Sequence, residues 1–283
     1  MIHTSKQLKD KVRNISHGDN EIAQVMIRNF IMERFLERVS LSKYKKNIIL
    51  KGGMLVASLV GIETRATMDI DTTVKALPLN KEDTVKIIND IINISVEDGI
   101  NFGIAKVTGI MTEFEYPGVR VVLEATLDRL KQRIKIDIST DDVIIPSAIS
   151  YNYRLMFEDR SIELMTYTTE TLLAEKIQTI LARGITTTRM RDFYDVYELV
   201  NGDKVNVERR LLLEAFSATC AKRKTVFDSS QMERTLQEIR VDKGLEKLWE
   251  LYQKDNFYVG DMKWALVCET VCTYISEELT KRT

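Results

Sequence analysis

Histidine, cysteine and proline are scarce in this chain, and each scarcity closes off a class of function. Only His3 and His17 are present, so histidine-rich metal centres and histidine-based catalytic triads fit poorly. The three cysteines, Cys220, Cys268 and Cys272, are too few and too odd in number for a disulfide framework, and they suit a reducing cytoplasm. Cys268 and Cys272 stand one helical turn apart, a spacing open to a shared metal, but buried free thiols are the simpler expectation. No apolar run approaches the roughly 20 residues of a membrane span. The opening MIHTSKQLKDKVRN is polar and charged, unlike a signal peptide. Neither sign of charge dominates: 41 basic residues face 42 acidic ones, for a formal net charge of −1. There is thus no blanket nucleic-acid signature, and any basic surface must be local. Internal repeats, low-complexity tracts and long flexible linkers are also missing.

What is present is 283 residues, 44% hydrophobic and 29% charged, enough for one large globular domain or two ordinary ones. Residues 4–45 read as helical, with Thr4 or Ser5 as a cap and SHGDN as a break. In EIAQVMIRNFIMERFLERV, Ile22, Val25, Met26, Phe30, Met32, Phe35 and Val39 recur at mostly helical spacing, which predicts a core-facing amphipathic helix. NIIL then reads as a buried strand, KGG as a turn and MLVASLV as a helix. MDIDTTV is a strand and NKEDTVKIINDIINISV a helix. Further strands are expected near 102–110, 119–127 and 132–139, and in YNYRLMF and SIELMTY. From residue 169 onward the pattern is helical, and the three prolines, at 78, 117 and 146, all precede that stretch. The expectation is an α+β fold: a mixed sheet with flanking helices over residues 1–160, then a mostly helical C-terminal domain over 161–283.

The stretch RATMDIDTTV, residues 65–74, carries the first chemical signal. On a strand, Asp69 and Asp71 point the same way, and like charges side by side repel. Asp137, in RIKIDIS, alternates with Ile134, Ile136 and Ile138, so it leaves the face that the isoleucines bury. Asp69 and Asp71 alone could be a solvated edge. If the two strands are neighbours, three carboxylates converge, a donor set suited to Mg²⁺ or Mn²⁺. Two such ions can hold the attacking and leaving oxygens of a phosphoryl displacement. Upstream, Gly52 and Gly53 allow a tight turn at a helix N-terminus, where free N–H groups suit a phosphate. The glycine pair alone is a weak signal, and a plain strand-to-helix turn is its simpler explanation.

KGGMLVASLV followed by RATMDID resembles the opening motif of the nucleotidyltransferase superfamily related to DNA polymerase β. TLLAEKIQTILAR (171–183) and RMRDFYDVYEL (189–199) resemble the third and fourth motifs of the AbiEii/AbiGii family, the toxins of type IV abortive-infection toxin–antitoxin systems. The resemblance spans roughly residues 46–200, and the fourth motif departs from the family in carrying Arg191 where lysine is usual; the two cations do not bind phosphate identically. It implies a nucleotidyltransferase-like mixed sheet and a set of roles. Gly52 and Gly53 would form the phosphate turn, Arg65 and Thr67 would touch the nucleotide, and Asp69, Asp71 and Asp137 would bind metal. Lys176 and Asp192 would be required for activity, Lys176 also at the nucleotide. The implied ligands are Mg²⁺ (or Mn²⁺) and a nucleoside triphosphate. The implied acceptor is RNA, with the tRNA 3′ end foremost, and the implied partner is a cognate antitoxin that need not touch the toxin. A growth inhibitor that binds nucleotide without transfer, and nucleotidylation of a protein hydroxyl, are the alternatives.

The helical motifs also have a reading of their own. Leu172, Leu173, Ile177, Ile180 and Leu181 form an apolar stripe, and Gly184 is a C-cap. Lys176 falls on that buried side, where a lysine without a partner is costly; it could equally reach solvent along its flexible stem. Asp192 and Asp195 are one turn apart with Arg189 and Arg191 beside them, a pattern that ordinary helix ion pairs also explain. The basic stretches RLKQRIK and CAKRK could meet an RNA backbone or simply face solvent.

Overall fold

A computed structural model describes residues 2–61, 64–111, 117–202 and 205–280. The chain forms two compact units: a sheet unit of Met1–Ser58, Ala66–Asp142 and Ala148–Thr166, and a helical unit of Leu59–Arg65, Val143–Ser147 and Tyr167–Thr283. Mixed α+β architecture is therefore correct, with all seven strands of the sheet in the first unit. No helix among the described residues is long and apolar enough to cross a membrane.

In the sheet unit, α1 (Ser5–Ile15) starts at a Thr4–Gln7 capping box, and α2 (Asn20–Leu41) starts at Asp19, whose carboxylate accepts the N–H groups of Glu21 and Ile22. Strand β1 (Ile48–Lys51) runs directly into α3 (Gly52–Val60). Then come β2 (Asp69–Val74), α4 (Lys81–Ile92), β3 (Asn101–Met111), β4 (Pro117–Leu127), β5 (Leu130–Thr140), β6 (Ile149–Arg154) and β7 (Ser161–Thr166). The strand order is β3-β4-β5-β2-β1-β7-β6. β3, β4 and β5 are an antiparallel meander, whereas β2 runs parallel to β5 and antiparallel to β1. Strict alternation divides the sheet into two faces. Ile70, Val121, Leu123, Ile134 and Ile136 lie fully inside. Thr72, Val74, Ile136 and Ile138 line a small apolar cavity with Phe35 of α2 and Ile88 of α4. The other face carries the acidic residues.

Helix α2 departs from the amphipathic expectation. From Met26 to Val39 it is buried on almost every side, charged residues included. The periodicity of its apolar residues treats Glu33, Arg34, Glu37 and Arg38 as a solvent face, but they are buried and paired instead, with one another and with residues from elsewhere. Arg38 makes a two-pronged pair with Asp98 at 2.7 and 2.9 Å, and Arg34 pairs with Glu37 and Glu158, each at 3.0 Å. Arg160 reaches Glu37 and Glu158, and Glu33 accepts the N–H of Met156 at 3.1 Å. The acidic turn between β6 and β7 thus folds back to neutralise the helix.

The helical unit contains α5 (Thr169–Arg183), α6 (Met190–Asn201), α7 (Arg209–Lys222), α8 (Ser229–Val241), α9 (Lys243–Asp255) and α10 (Trp264–Leu279). The side chain of Thr168 caps α5, and Gly184 closes it with φ 49° and an N–H to the carbonyl of Ile180. An aromatic cluster of Phe193, Tyr194, Trp249, Tyr258 and Trp264 joins α6 to the later helices, with ring centroids 5.1–6.4 Å apart for the contacting pairs. The three cysteines are free and buried, Cys268 and Cys272 with their sulfurs 4.0 Å apart.

Candidate active site

The sheet unit brings together Gly52, Gly53, Asp69, Asp71 and Asp137. Register, rather than proximity in sequence, does this. Asp71 on β2 stands directly opposite Asp137 on β5 and opposite Lys51 on β1, while Asp137 stands opposite Arg120 on β4. Directly opposed residues share a face. A single row therefore crosses four strands, reading Arg120, Asp137, Asp71, Lys51. One step along the strands, Asp69 lies opposite Lys135, with 3.7 Å between charged atoms. The two carboxylates at the centre repel, and the cations at either end compensate.

Each cation has a definite engagement. Arg120 clasps Asp137 in a two-pronged pair, its Nε 2.7 Å from Oδ1 and its terminal nitrogen 2.6 Å from Oδ2. The hydrogen bonds that Arg120 donates to Asp137 raise its pKa; partial burial opposes the shift, and the charges of Asp137, Asp69 and Asp71 reinforce it. Lys51 pairs with Asp142, which also accepts a hydrogen bond from Ser139 at 2.8 Å. Arg28 of α2 donates to the sulfur of Met68; burial lowers its pKa and the nearby charge of Asp69 acts in the opposite direction.

Gly52 makes the approach of α3 to Asp71 possible. Its φ is +65°, in the left-handed region, and a Cβ there would lie 2.1 Å from Asp71 Oδ2 and 2.7 Å from its Cβ. Only glycine meets both demands. The N–H of Gly53 lies within 3.5 Å of the same carboxylate oxygen, and the hydroxyl of Thr67 donates to the backbone carbonyl of Asp69 at 3.2 Å.

Does this face suit a divalent cation? Asp69 Oδ1 is a buried oxygen with no hydrogen-bond partner, and the donors on offer are hard carboxylate oxygens. Against that, no three His, Cys, Asp or Glu side chains among the described residues stand ready to hold an ion together, and Asp137 is already held by Arg120. Mg²⁺ usually keeps several waters and takes one or two carboxylates plus substrate phosphates. Asp69 and Asp71 meet that smaller requirement. Asp137 does so only if Arg120 lets go.

Arg65, Lys176 and Asp192 belong to the helical unit, where they form a closed cluster around a residue that the sequence left in the background. Asp195 is completely buried; it accepts from Arg65 Nε at 2.5 Å and pairs with Lys176 Nζ at 2.5 Å. Lys176 also lies 3.5 Å from Asp192, which takes a second cation, Arg189, at 2.6 Å. The guanidinium of Arg65 sits 5.6 Å from the ring centre of Tyr258. Burial alone would push the Asp195 carboxyl up, but Arg65 and Lys176 more than offset it and hold the group well below the usual carboxylate range. Lys176 is thus neither a lone buried cation nor an edge lysine: at 8% exposure it is a neutralised one.

Sequence reasoning missed Arg120, Lys51 and Lys135 as partners of the acidic face, and Asp195 as the hub of the buried cluster. Lys135 could have been found, since it shares the polar face of RIKIDIS. Arg120 could not, because its place depends on the register of the β4–β5 hairpin.

A family model described as "Nucleotidyl transferase AbiEii toxin, Type IV TA system" matches residues 34–268. No curated protein matches the chain. Among solved structures, the chain is similar to JHP933 from Helicobacter pylori, at 17% identity and a TM-score of 0.51, over 90% of this chain and 93% of that one. It is also similar to a candidate nucleotidyltransferase from H. pylori, at 17% identity and a TM-score of 0.47, over 90% and 96% of the two chains. At such identities the first likeness bears on fold alone.

Proposed function

The chain belongs to the AbiEii nucleotidyltransferase toxins of type IV toxin–antitoxin systems, and from that premise we propose that it moves a nucleoside monophosphate from a nucleoside triphosphate to an RNA hydroxyl, the tRNA 3′ end foremost. Membership implies a nucleotide substrate and a cognate antitoxin. The observation that carries metal-assisted transfer is the placing of Asp69 and Asp71 on one strand face, with Asp69 Oδ1 making no hydrogen bond and Gly52 letting the α3 N-terminus approach Asp71; the RNA acceptor is what the family resemblance implies.

In the proposed reaction the acceptor hydroxyl gives up its proton to solvent and its oxygen bonds to the α-phosphorus. The bond from that phosphorus to the bridging oxygen breaks, and pyrophosphate leaves. A divalent cation held by Asp69 and Asp71 would supply charge neutralisation at the phosphates. Gly52 and Gly53 open the strand-to-helix turn where backbone N–H groups can meet phosphate oxygens. Asp137 stands opposite Asp71 as a third carboxylate, and Thr67 steadies the entry to β2 through its bond to the Asp69 carbonyl. Motif order, not geometry, assigns Lys176 and Asp192 to the same reaction; Arg65 is more simply read as a partner of Asp195.

The test is to incubate the protein with each of four α-labelled nucleoside triphosphates, Mg²⁺ and total RNA. Label on RNA, absent with Asp69→Asn, is the expected result. Label on the protein itself would move the acceptor to a protein hydroxyl. Nucleotide binding with no label on either would leave an inhibitor that works by binding.

A further inference from the structure

We propose that the exposed face of β3, β4 and β5 holds the phosphate backbone of the acceptor RNA and leads it to Asp69 and Asp71; the assignment rests on the RNA-acceptor reading above. Alternation along β5 puts Lys131, Arg133 and Lys135 on the face that ends at Asp137, with side-chain exposures of 72%, 72% and 51%. Their spacing is roughly 6.7 Å, two strand residues apart. Register extends the charge sideways: Lys106 on β3 lies opposite Val122 on β4, which lies opposite Lys135. Arg120 stands at the head of the strip, beside the acidic row.

In a chain of net charge −1, these cations on one face of one meander are a local concentration that composition hides. Acids stand among them: Asp137 and Asp69 where the strip meets the acidic row, and Glu124 farther along. Glu124 lies 3.9 Å from Lys131 and 3.6 Å from Arg133, loose surface pairs that a polyanion can displace. Among the described residues this face of the meander carries no aromatic side chain. The described residues of this face thus offer bases no aromatic ring to stack on, and the chemistry they offer is that of phosphate contact: strongly salt-dependent and weakly dependent on sequence. Such a strip positions an acceptor end without reading it. Lys131 lies on the order of 20 Å from Asp137 along the strand, so its replacement leaves the acidic row untouched.

The experiment measures binding of 5′-labelled total tRNA to the full chain by fluorescence anisotropy across a salt series, beside calorimetry with Mg²⁺ and each triphosphate. Lys131→Glu/Arg133→Glu should weaken tRNA binding on the order of tenfold and lower the slope against log salt by roughly 1 to 2, with triphosphate binding unchanged. Lys131→Gln/Arg133→Gln, which adds no negative charge beside Glu124, should shift both in the same direction by less. Lys247→Glu/Lys254→Glu, an equal charge change on exposed residues of α9, should leave tRNA binding near wild type. If wild type binds tRNA and both β5 variants bind equally well, the strip is wrong and the RNA reading stands. If wild type itself does not bind tRNA, the RNA reading fails and the strip with it.

Discussion

The two charged regions of this molecule use the same ingredients to opposite ends. On the sheet, Arg120, Asp137, Asp71 and Lys51 lie in an open row, with Arg120 at 39% and Asp137 at 20% side-chain exposure. In the helical unit, Arg65, Lys176, Asp192 and Asp195 are closed in, none above 10%. Water and solutes can reach the first group, so its pairs can be exchanged for a cation or a phosphate. The second is sealed, and there each charge depends on its partner for solvation. The exposed row has the character of a reaction surface and the buried cluster that of a structural knot.

Removing one carboxylate from the open row should separate activity from stability most widely. Asp69→Asn or Asp71→Asn should cost about three orders of magnitude in transfer, or about 4 kcal/mol of transition-state stabilisation. Thermal stability without metal should hold or rise as like-charge repulsion relaxes. Activity and Tm measured side by side decide this; a variant that unfolds, or one that stays active, breaks the comparison on the sheet side.

The closed cluster predicts the reverse order of effects. Asp195→Ala strands Arg65 and Lys176 without their common anion and should cost about 3 kcal/mol or more in stability. Lys176→Met, of similar length, leaves Asp195 paired with Arg65 and should cost less. Chemical denaturation of both variants, read beside triphosphate affinity, separates the roles. A Lys176→Met protein that keeps its stability and loses nucleotide binding would make the cluster a working part of the site.

Gly52 tests how tightly the open face is built. Gly52→Ala must relieve a Cβ at 2.1 Å from Asp71 Oδ2 while holding φ at +65°. About 1–2 kcal/mol of destabilisation is expected, with loss of transfer beyond what stability explains. Gly53, which carries no positive φ, should tolerate alanine better by the same two measurements.

Most of the fold was legible because its signals are local. Alternation in RIKIDIS, the apolar run of NIIL and the caps at Thr4 and Gly184 act over a few residues. Asp69, Asp71 and Asp137 could be read for the same reason, each from its own strand. What the sequence withheld is pairing between distant segments. Nothing near Asp137 names Arg120 as its clasp, and nothing in α2 says that Glu158 and Arg160 will neutralise its charges. A pattern that sends charge to water hides a buried polar residue, so the buried part of α2 and the Asp195 hub were missed; Lys176 was placed on the buried side of its helix, but its partners were not named.

The α2 network extends the comparison to a third set of charges, one that titrates. Burial pushes the Glu33 carboxyl up to about 8, against the N–H of Met156, the charge of Arg34 and the hydroxyl of Tyr153, while Glu158 adds to the rise. The ordinary value is 4.5, so the folded protein keeps a proton that the unfolded chain releases. Between pH 5 and 8 the unfolded state binds fewer protons, and stability falls as pH rises through this window. Glu33→Gln should flatten that slope of Tm against pH. If wild type shows no fall across the window, or the variant keeps it, the carboxyl is ionised in the folded protein.

The smallest effect on stability falls on Arg120, and it sharpens the contrast most directly. Its pair with Asp137 is well formed at 2.6 and 2.7 Å, yet Arg120 is more than a third exposed. Solvent and salt screen such a pair, so Arg120→Gln should change stability by about 1 kcal/mol or less. Its effect on the acidic face should be of another kind. Freed of the guanidinium, Asp137 can turn its carboxylate toward the ion that Asp69 and Asp71 would hold, and the face loses one positive charge. Mn²⁺ affinity, followed by calorimetry without nucleotide, should therefore rise several-fold. Triphosphate affinity should not rise with it, because the same substitution removes a positive charge from the face that a triphosphate would meet. Lysine at this position keeps the charge but not the two-pronged grip, and should fall between wild type and glutamine. An unchanged Mn²⁺ affinity in Arg120→Gln would mean that Asp137 stays out of the ion's reach even when released, and that the working pair is Asp69 and Asp71 alone.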